Sequence, residues 1–342
     1  WGKPLLEFYN KNEKFILPIS RRNEVIKFVK SGLKDLSVSR TSFTWGITVP
    51  NKTNHVVYVW LDALTNYLSA LNFPNTDNTL FKDFWPASLH VIGKDILRFH
   101  AIYWPAFLLA ANIELPHRVF SHGWILSGDE KMSKSKGNIL DPNEIINKYG
   151  IDELRYYLMK MVSHGSDGSI SLESLENCIN SDLANNYGNL CQRVFAFIKT
   201  NCKNEVSRTT NTSKEDSELI EKTKVLTSKL KEYMENQNLN NYIKSVIDIS
   251  FLTNKYINDE EPWKLKKTNR EKMNNILHLA LEQIAMISIL LNPIIPKATK
   301  KVLDSLSLKN ETITLSFIEG KKILKDKIEI KNLNILFKKV TK

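Results

Sequence analysis

Hydrophobic residues in the first half of the chain fall into short runs separated by segments of helical spacing. The runs Val56–Trp60, Leu89–Gly93 and Val119–Leu126 predict buried strands. Asp62–Leu71, after the first run, and Ile96–Tyr103, after the second, repeat apolar side chains every three or four positions and predict helices. Strands that alternate with helices predict an α/β fold with a parallel sheet.

Helical spacing dominates the second half of the chain, from about Leu172. Four long helices are predicted, over Ile179–Lys199, Asp216–Asn236, Tyr242–Ile257 and Glu271–Leu291. These segments predict an all-α bundle. The polar stretch 201–216 is predicted to be a loop between helices, and the alternating residues Lys327–Lys331 predict a short strand.

Charge and cysteine content narrow the class of protein. The 342 residues include 48 Lys+Arg and 37 Asp+Glu, a net charge of +11, which indicates a protein that handles a polyanion, although a biased genome can produce the same composition. No apolar run approaches the ~20 residues of a membrane-spanning helix. The first residues lack a charged region followed by an apolar one, so we expect no export signal. Three cysteines without Cys-x-x-Cys spacing predict neither a zinc site nor a disulfide framework, so we expect a cytoplasmic protein.

A lysine-rich loop carries the sharpest chemical signal in the chain. Lys131 and Lys134 stand three residues apart among serine hydroxyls, between Gly128 and Gly137. Ammonium groups, hydroxyl donors and a permissive backbone together suit a polyphosphate. The plain alternative is a solvated loop, but this loop follows the predicted buried strand Val119–Leu126, which favours a nucleotide site.

The pentad Lys131–Ser135 resembles the KMSKS signature of class I aminoacyl-tRNA synthetases. Six further stretches narrow the resemblance to the methionyl-tRNA synthetase family. In chain order they are Ser37–Arg40, Tyr58–Tyr67, His90–Ile96, Arg98–His100, Asn189–Arg193 and Glu261–Trp263. The similarity extends from near residue 5 to about residue 305, so a coincidence at one motif does not explain it.

The resemblance implies a fold and a division of the chain. The fold is the second half of an α/β Rossmann-type catalytic domain followed by an all-α anticodon-binding helix bundle. The implied segments are the end of a connective insertion (residues 1–55), the second half of the nucleotide-binding domain (56–126), the KMSKS loop with a stem-contact region (127–178) and the anticodon-binding domain (179–342).

The resemblance also implies a site for methionyl-adenylate formation. Lys131 and Lys134 are the catalytic candidates, because cations stabilise the charge that gathers on departing pyrophosphate. The ATP-binding candidates are Gly93, Asp95, His122, Gly123, Ile125 and Lys134. Without the resemblance, residues 93–95 would equally well be a glycine turn with Asp95 as a helix cap.

Two further sites follow from the resemblance. The methionine-binding candidates are Trp60, Ala63, Leu64, Tyr67, Ile96 and His100, and the anticodon-binding candidates are Asn189, Arg193 and Trp263. Aromatic edges meet a thioether favourably, and unpaired RNA bases stack on exposed aromatic rings. Taken alone, His100 would be a satisfied core histidine and Trp263 a core residue. The implied partners are ATP with Mg²⁺, methionine and methionine tRNA, with a monomer expected.

The sequence departs from the family in one half of the expected site. It contains no His-Ile-Gly-His-type tetrapeptide, no early acidic residue for the methionine amino group and no zinc-bearing insertion. We expect that about 150 residues, one domain's worth, precede this chain in a whole enzyme, and that the chain alone binds tRNA with little pyrophosphate exchange. The alternatives are a non-catalytic tRNA-binding fragment and a class I synthetase for another amino acid.

Overall fold

The computed structural model describes residues 1–127, 130–131 (backbone only), 140–161, 165–209, 211–308, 318 and 322–341. The chain forms two compact units. The first comprises Trp1–Trp124 with His164–Asp167, and the second comprises Ile125–Ser163 with Gly168–Lys342. The predicted lysine-loop residues 132–139, including Lys134, lie outside the described residues.

The first unit combines strands with helices that pack on them. Its elements are α1 (Gly2–Lys11), β1 (Ile16–Leu17), α2 (Ile19–Lys30), β2 (Ser39–Arg40), β3 (Thr48–Val49), β4 (Lys52–Val57), α3 (Val59–Ser69), α4 (Thr79–Phe84), β5 (His90–Gly93), a 3₁₀ turn (Lys94–Ile96), a π-helical segment (Phe99–Tyr103), α5 (Trp104–Ala110) and β6 (Val119–His122).

A parallel sheet of order β1-β6-β5 confirms the predicted α/β class. Its first strand, β1, was not predicted, because two residues are too few to show a period. The predicted strand Val56–Trp60 is wrong in two respects, the sheet to which it belongs and the residue at which it ends. Val57 ends β4, which pairs antiparallel with β2 and β3, and α3 begins at Val59, whose side chain is exposed.

The predicted strand Val119–Leu126 is also two strands. β6 ends at His122 in the parallel sheet, and β7 begins at Ile125 in a separate sheet of the second unit. The predicted helix after β5 is present, although its first turns are 3₁₀ and π-helical before α5.

The second unit is mostly helical, with two small sheets. Its elements are β7 (Ile125–Ser127), β8 (Glu130–Lys131), α6 (Pro142–Tyr149), α7 (Ile151–Met161), β9 (Gly168–Ile170), α8 (Leu172–Cys178), a π-helical segment (Ile179–Gly188), α9 (Asn189–Asn201), β10 (Glu205–Ser207), α10 (Lys214–Thr227), α11 (Leu230–Glu235), α12 (Leu239–Glu260), α13 (Pro262–Leu265), α14 (Arg270–Leu291), α15 (Pro296–Ser305) and β11 (Lys327–Glu329).

The predicted helices Tyr242–Ile257 and Glu271–Leu291 are confirmed as α12 and α14. The predicted helix Asp216–Asn236 is wrong in its continuity, because it is two helices, α10 and α11, and the first half of the predicted helix Ile179–Lys199 is π-helical. The predicted strand near Lys327 is β11. It pairs with β10, which lies inside the stretch predicted as a plain loop. Helix α14 is long and apolar enough to cross a membrane by length and composition, a feature the sequence analysis overlooked. Because 89% of its apolar window is buried inside the protein, it has the character of a core helix of the bundle.

Candidate active site and nucleic-acid interface

Aromatic side chains gather in the first unit where α3 faces the helical segment after β5. The indole of Trp60 stacks on Phe99, with ring centroids 3.8 Å apart and planes 9° apart. The His100 ring meets Trp60 and Tyr67 edge-on, at 6.1 and 5.7 Å between centroids. We call Trp60, Tyr67, Phe99 and His100 the aromatic cage. Its rings come from two elements, so the fold and not sequence proximity assembles it.

The remaining predicted methionine-binding residues border the aromatic cage. Ala63 is exposed and shares the face of α3 that carries Trp60 and Tyr67, because residues three or four apart lie above one another on a helix. Leu64 is fully buried and belongs to the apolar cluster that includes Trp60 and Phe99. Ile96 contributes its carbonyl oxygen to a hydrogen bond with His100. The structure therefore brings together the six residues predicted for this pocket.

One hydrogen-bonded chain fixes the polarity of the aromatic cage. Nδ1 of His100 lies 3.1 Å from the carbonyl oxygen of Ile96, which can only accept, so Nδ1 carries the proton. Burial lowers the pKa of His100, so the ring is neutral at pH 7 and its Nε2 is an acceptor. The Tyr67 hydroxyl, 2.9 Å away, therefore donates to Nε2. Burial also raises the pKa of Tyr67. The result is an uncharged lining.

Sequence reasoning left Phe99 and His90 out of the predicted pocket. Phe99 makes the closest ring contact of the aromatic cage, and its position three residues after Ile96 was the available signal. The imidazole of His90 lies 4.3 Å from the ring of Tyr67, between centroids. No local pattern could identify that contact, because it joins a strand to a helix.

The predicted nucleotide residues Gly93 and His122 stand opposite each other at the carboxyl ends of β5 and β6. Open α/β sheets bind ligands at this edge. Lys94 follows β5, and Trp124 lies two residues after β6. Asp167 bonds to both of these residues. Its carboxylate lies 2.7 Å from Nζ of Lys94 and accepts a 2.9 Å hydrogen bond from the backbone N–H of Trp124. The hydrogen bond from Lys94 holds the pKa of Asp167 below its usual value.

Two glycines at this edge of the sheet allow neighbouring groups to approach the backbone closely. A Cβ on Gly123 would lie 2.1 Å from the carbonyl oxygen of Ser166, so no other residue fits without displacing backbone. A Cβ on Gly93 would lie 2.7 Å from Oδ1 of Asp95. The Asp95 carboxylate is exposed and within 3.4 Å of the indole nitrogen of Trp124. The exposed carboxylate of Asp95 is thus a group at this edge that can accept hydrogen bonds from ribose hydroxyls.

Two other predicted nucleotide contacts belong to the second unit. Ile125 begins β7 and is exposed. Lys131 ends β8, and only its backbone is described. In the described part of the chain, no group of three or more His, Cys, Asp or Glu side chains is placed to hold a metal ion.

The predicted anticodon residues lie on the helices of the second unit. Trp263 follows Pro262 at the start of α13, after Glu261 turns the chain with a left-handed φ of 43°, and its side chain is 41% exposed. The guanidinium of Arg193 lies 5.7 Å from the Trp263 ring centroid and donates a 2.8 Å hydrogen bond to Oδ1 of Asn258. Asn189 lies one turn before Arg193 on α9. An exposed ring beside a fixed cation suits an unpaired base.

A parallel sheet with candidate nucleotide residues at the carboxyl ends of its strands and a mostly helical second unit fit a class I aminoacyl-tRNA synthetase. The sequence profile described as tRNA synthetases class I (M) matches residues 2–195, and the chain belongs to this family. A second profile, described as the anticodon binding domain of methionyl tRNA ligase, matches residues 206–342. The resemblance predicted from the motifs is confirmed.

Known proteins agree with this assignment. The methionine–tRNA ligase of Rickettsia felis is 49% identical over 91% of the chain, and that of Brucella suis is 45% identical over 89%. The chain spans 61% and 59% of the lengths of these relatives. A Mycobacterium tuberculosis methionyl-tRNA synthetase bound by methionyl-adenylate matches 98% of the chain with a TM-score of 0.93 and 39% identity, and the chain covers 67% of that structure.

Proposed function

We propose that this chain provides the methionine-binding, nucleotide-binding and anticodon-binding parts of a methionine–tRNA ligase. The reaction joins the carboxylate of methionine to the α-phosphate of ATP, releases pyrophosphate, and then transfers the methionyl group to the 3′ end of methionine tRNA. One observation carries the proposal. Phe99 and His100 of the uncharged aromatic cage lie a few residues along the chain from Gly93, at the carboxyl end of β5, which gives an amino-acid side chain and a nucleotide neighbouring sites.

The lining of the aromatic cage favours a thioether over a charged or strongly polar side chain. The hydroxyl proton of Tyr67 is committed to His100, and Nδ1–H of His100 is committed to Ile96. What remains is mainly ring surface, which meets sulfur favourably. A buried ammonium or carboxylate would find no compensating charge among these residues, and burying an unpaired charge is costly.

Activation of the amino acid requires stabilisation of the negative charge on the leaving pyrophosphate. We assign this role to Lys131 and Lys134 by resemblance, with Gly93, Asp95, His122, Gly123 and Ile125 placing the adenosine and phosphates. The described residues do not form a Mg²⁺ cage. Mg²⁺ is commonly bound through substrate phosphates with few protein ligands, and no catalytic step is assigned to it here.

Recognition of the anticodon is assigned to Trp263, Arg193 and Asn189. The exposed indole provides a stacking face, and the guanidinium and amide provide donors for base edges. We also propose the four segment boundaries given by the resemblance, a monomer, no membrane association and a cytoplasmic location. Three free and buried cysteines, Cys178, Cys191 and Cys202, support a reducing compartment.

The test is calorimetric titration of the polypeptide with L-methionine, with L-leucine and L-glutamate as competitors. We expect methionine to bind and glutamate not to bind, because the aromatic cage is uncharged. A second titration uses an RNA hairpin with a CAU loop and a matched hairpin with a scrambled loop. Binding of neither methionine nor the CAU hairpin would overturn the proposal.

A non-catalytic tRNA-binding polypeptide is the second candidate, because the exposed Trp263 ring beside Arg193 suits an unpaired base without any nucleotide chemistry. Methionine-dependent exchange of pyrophosphate into ATP distinguishes the two candidates. Exchange that is lost in Lys134→Ala while hairpin binding persists supports the ligase. Because little exchange is expected of this polypeptide by itself, hairpin binding without exchange supports the second candidate only where methionine also fails to bind.

A further inference from the structure

His90 is a buried histidine that the proposed mechanism does not use. It opens β5, where its backbone N–H donates to the carbonyl oxygen of Arg118 over 2.8 Å, and its side chain is 6% exposed. The strand fixes the Cα of His90, and neighbouring rings surround its side chain. The imidazole therefore has a defined position in the first unit.

The ring of His90 contacts both members of the hydrogen-bonded pair in the aromatic cage. Its centroid lies 4.3 Å from that of Tyr67, with planes 48° apart, and 6.1 Å from that of His100. The indole of Trp85 lies 6.5 Å away from the same imidazole. His90 thus lies against Tyr67, whose hydroxyl donates to His100. Replacement of the His90 ring would therefore change the packing that orients the Tyr67 ring.

Packing, and not hydrogen bonding, is the means by which His90 acts on Tyr67. Among the described residues, Nε2 of His90 is buried without a hydrogen-bond partner. Leaving a buried polar atom unpaired costs about 1–3 kcal/mol, so an apolar side chain would serve stability better at this position. The contact that the planar ring makes with Tyr67 is the interaction that an apolar, non-planar side chain would not reproduce.

We propose that His90 is a positioning residue that sets the specificity of the aromatic cage for methionine, by holding Tyr67 with its hydroxyl on His100. This inference rests on the proposed function. When Tyr67 is held, its ring edge and the neighbouring rings present a fixed surface to the ligand sulfur. When Tyr67 is released, the sulfur contacts are lost, whereas contacts to the methylene groups of the ligand are nonspecific and largely persist.

The experiment compares L-methionine with L-norleucine, which replaces sulfur by a methylene group of similar size. The measured quantity is the ratio of the two dissociation constants, obtained by calorimetry on the polypeptide and its variants. His90→Leu keeps an apolar side chain but removes the planar ring, and we expect it to lower the preference for methionine by roughly three- to tenfold. His90→Phe keeps a ring against Tyr67 and is expected to retain the preference.

Leu68→Ala is the matched control, because Leu68 is equally buried on α3 and lies in the apolar cluster beside Tyr67. We expect it to lower the thermal midpoint and to leave the ratio unchanged. If the role of His90 were purely structural, His90→Leu would weaken the binding of methionine and of norleucine equally. That outcome would overturn the proposal. An unaltered ratio in His90→Leu would also overturn it. Failure of the wild-type chain to bind methionine would overturn the proposed function and this inference together.

Discussion

The aromatic cage of the first unit and the Trp263 site of the second unit are both built from aromatic rings. They differ in how far their side chains are buried. His100 is 2% exposed, whereas Trp263 is 41% exposed. Burial lowers the pKa of His100 and leaves its ring neutral. The guanidinium of Arg193 carries a positive charge beside the Trp263 ring.

This difference predicts two modes of recognition in one chain. The aromatic cage selects by shape and by the absence of charge, so it suits a small uncharged side chain. The Trp263 site combines a stacking face with a positive charge, so it suits a nucleic-acid base with its phosphates. Changes in one site should therefore leave the other ligand unaffected, and the predictions below test that separation.

The largest effect is expected for Tyr67→Ala. This change removes a wall of the aromatic cage and the hydroxyl that donates to His100. We expect methionine affinity to fall by at least about a hundredfold, as a pocket loses both shape and a buried polar contact. Calorimetry measures the loss, and binding of the CAU hairpin is the control. Equal losses for methionine and the hairpin would contradict the separation of the two sites.

Acid should destabilise the first unit through its buried imidazoles. Burial, together with the nearby His100, lowers the pKa of His90 from 6.5 to about 4. Between pH 6.5 and about 4 the unfolded chain therefore binds a proton that the folded chain does not, so this contribution to stability is complete above pH 6.5 and falls as the pH falls. The facing titratable groups are His100, itself shifted in the same direction, and Tyr67, which stays protonated.

Urea unfolding at several pH values measures this effect. We expect the free energy of unfolding to fall by about 3 kcal/mol from pH 7 to pH 4 beyond the change seen in His90→Phe, which lacks the titrating group. Fluorescence of the tryptophans in the first unit provides the signal. An identical pH dependence in the wild type and in His90→Phe would contradict the assignment to His90.

Trp263→Ala tests the Trp263 site of the second unit. Loss of one base-stacking ring typically costs about 1–3 kcal/mol in single-stranded binding. We expect the CAU hairpin to bind correspondingly more weakly and methionine to bind as before. Trp263→Phe keeps an aromatic face and should recover part of the affinity. A fall in methionine affinity alongside the hairpin loss would indicate that Trp263 supports folding instead.

The sequence predicted the helical part of the fold better than the strands. Leu64 and Leu68, four residues apart, identify α3, and both are buried on one face. The apolar run Val56–Trp60 does not show where its strand ends, because a short apolar run is compatible with a strand and with a helix alike. The end at Val57 depends on pairing with β2 and β3, which is a long-range contact.

The break in the run Val119–Leu126 also has a long-range cause. Gly123 lies against the carbonyl oxygen of Ser166, more than forty positions along the chain, so the backbone leaves the parallel sheet there. In the same way, the six methionine-pocket residues were predicted from the motif resemblance. The contact of His90 with Tyr67 could be identified only from the folded structure. Motifs identify residues that touch a ligand, and packing identifies those that hold them.

The smallest effect is expected for Arg193→Lys. The substitution keeps the positive charge but removes the planar guanidinium, which both lies near the Trp263 ring and donates to Asn258. Lysine has no planar group that can stack, so we expect the CAU hairpin to lose about 1 kcal/mol of binding free energy while the salt dependence of binding stays unchanged. Lys255→Ala, at an exposed ion pair with Asp259 on α12, is the matched surface control. If Arg193→Lys bound the hairpin as tightly as the wild type, charge alone would account for recognition at this site, and the geometric contrast with the aromatic cage would be lost.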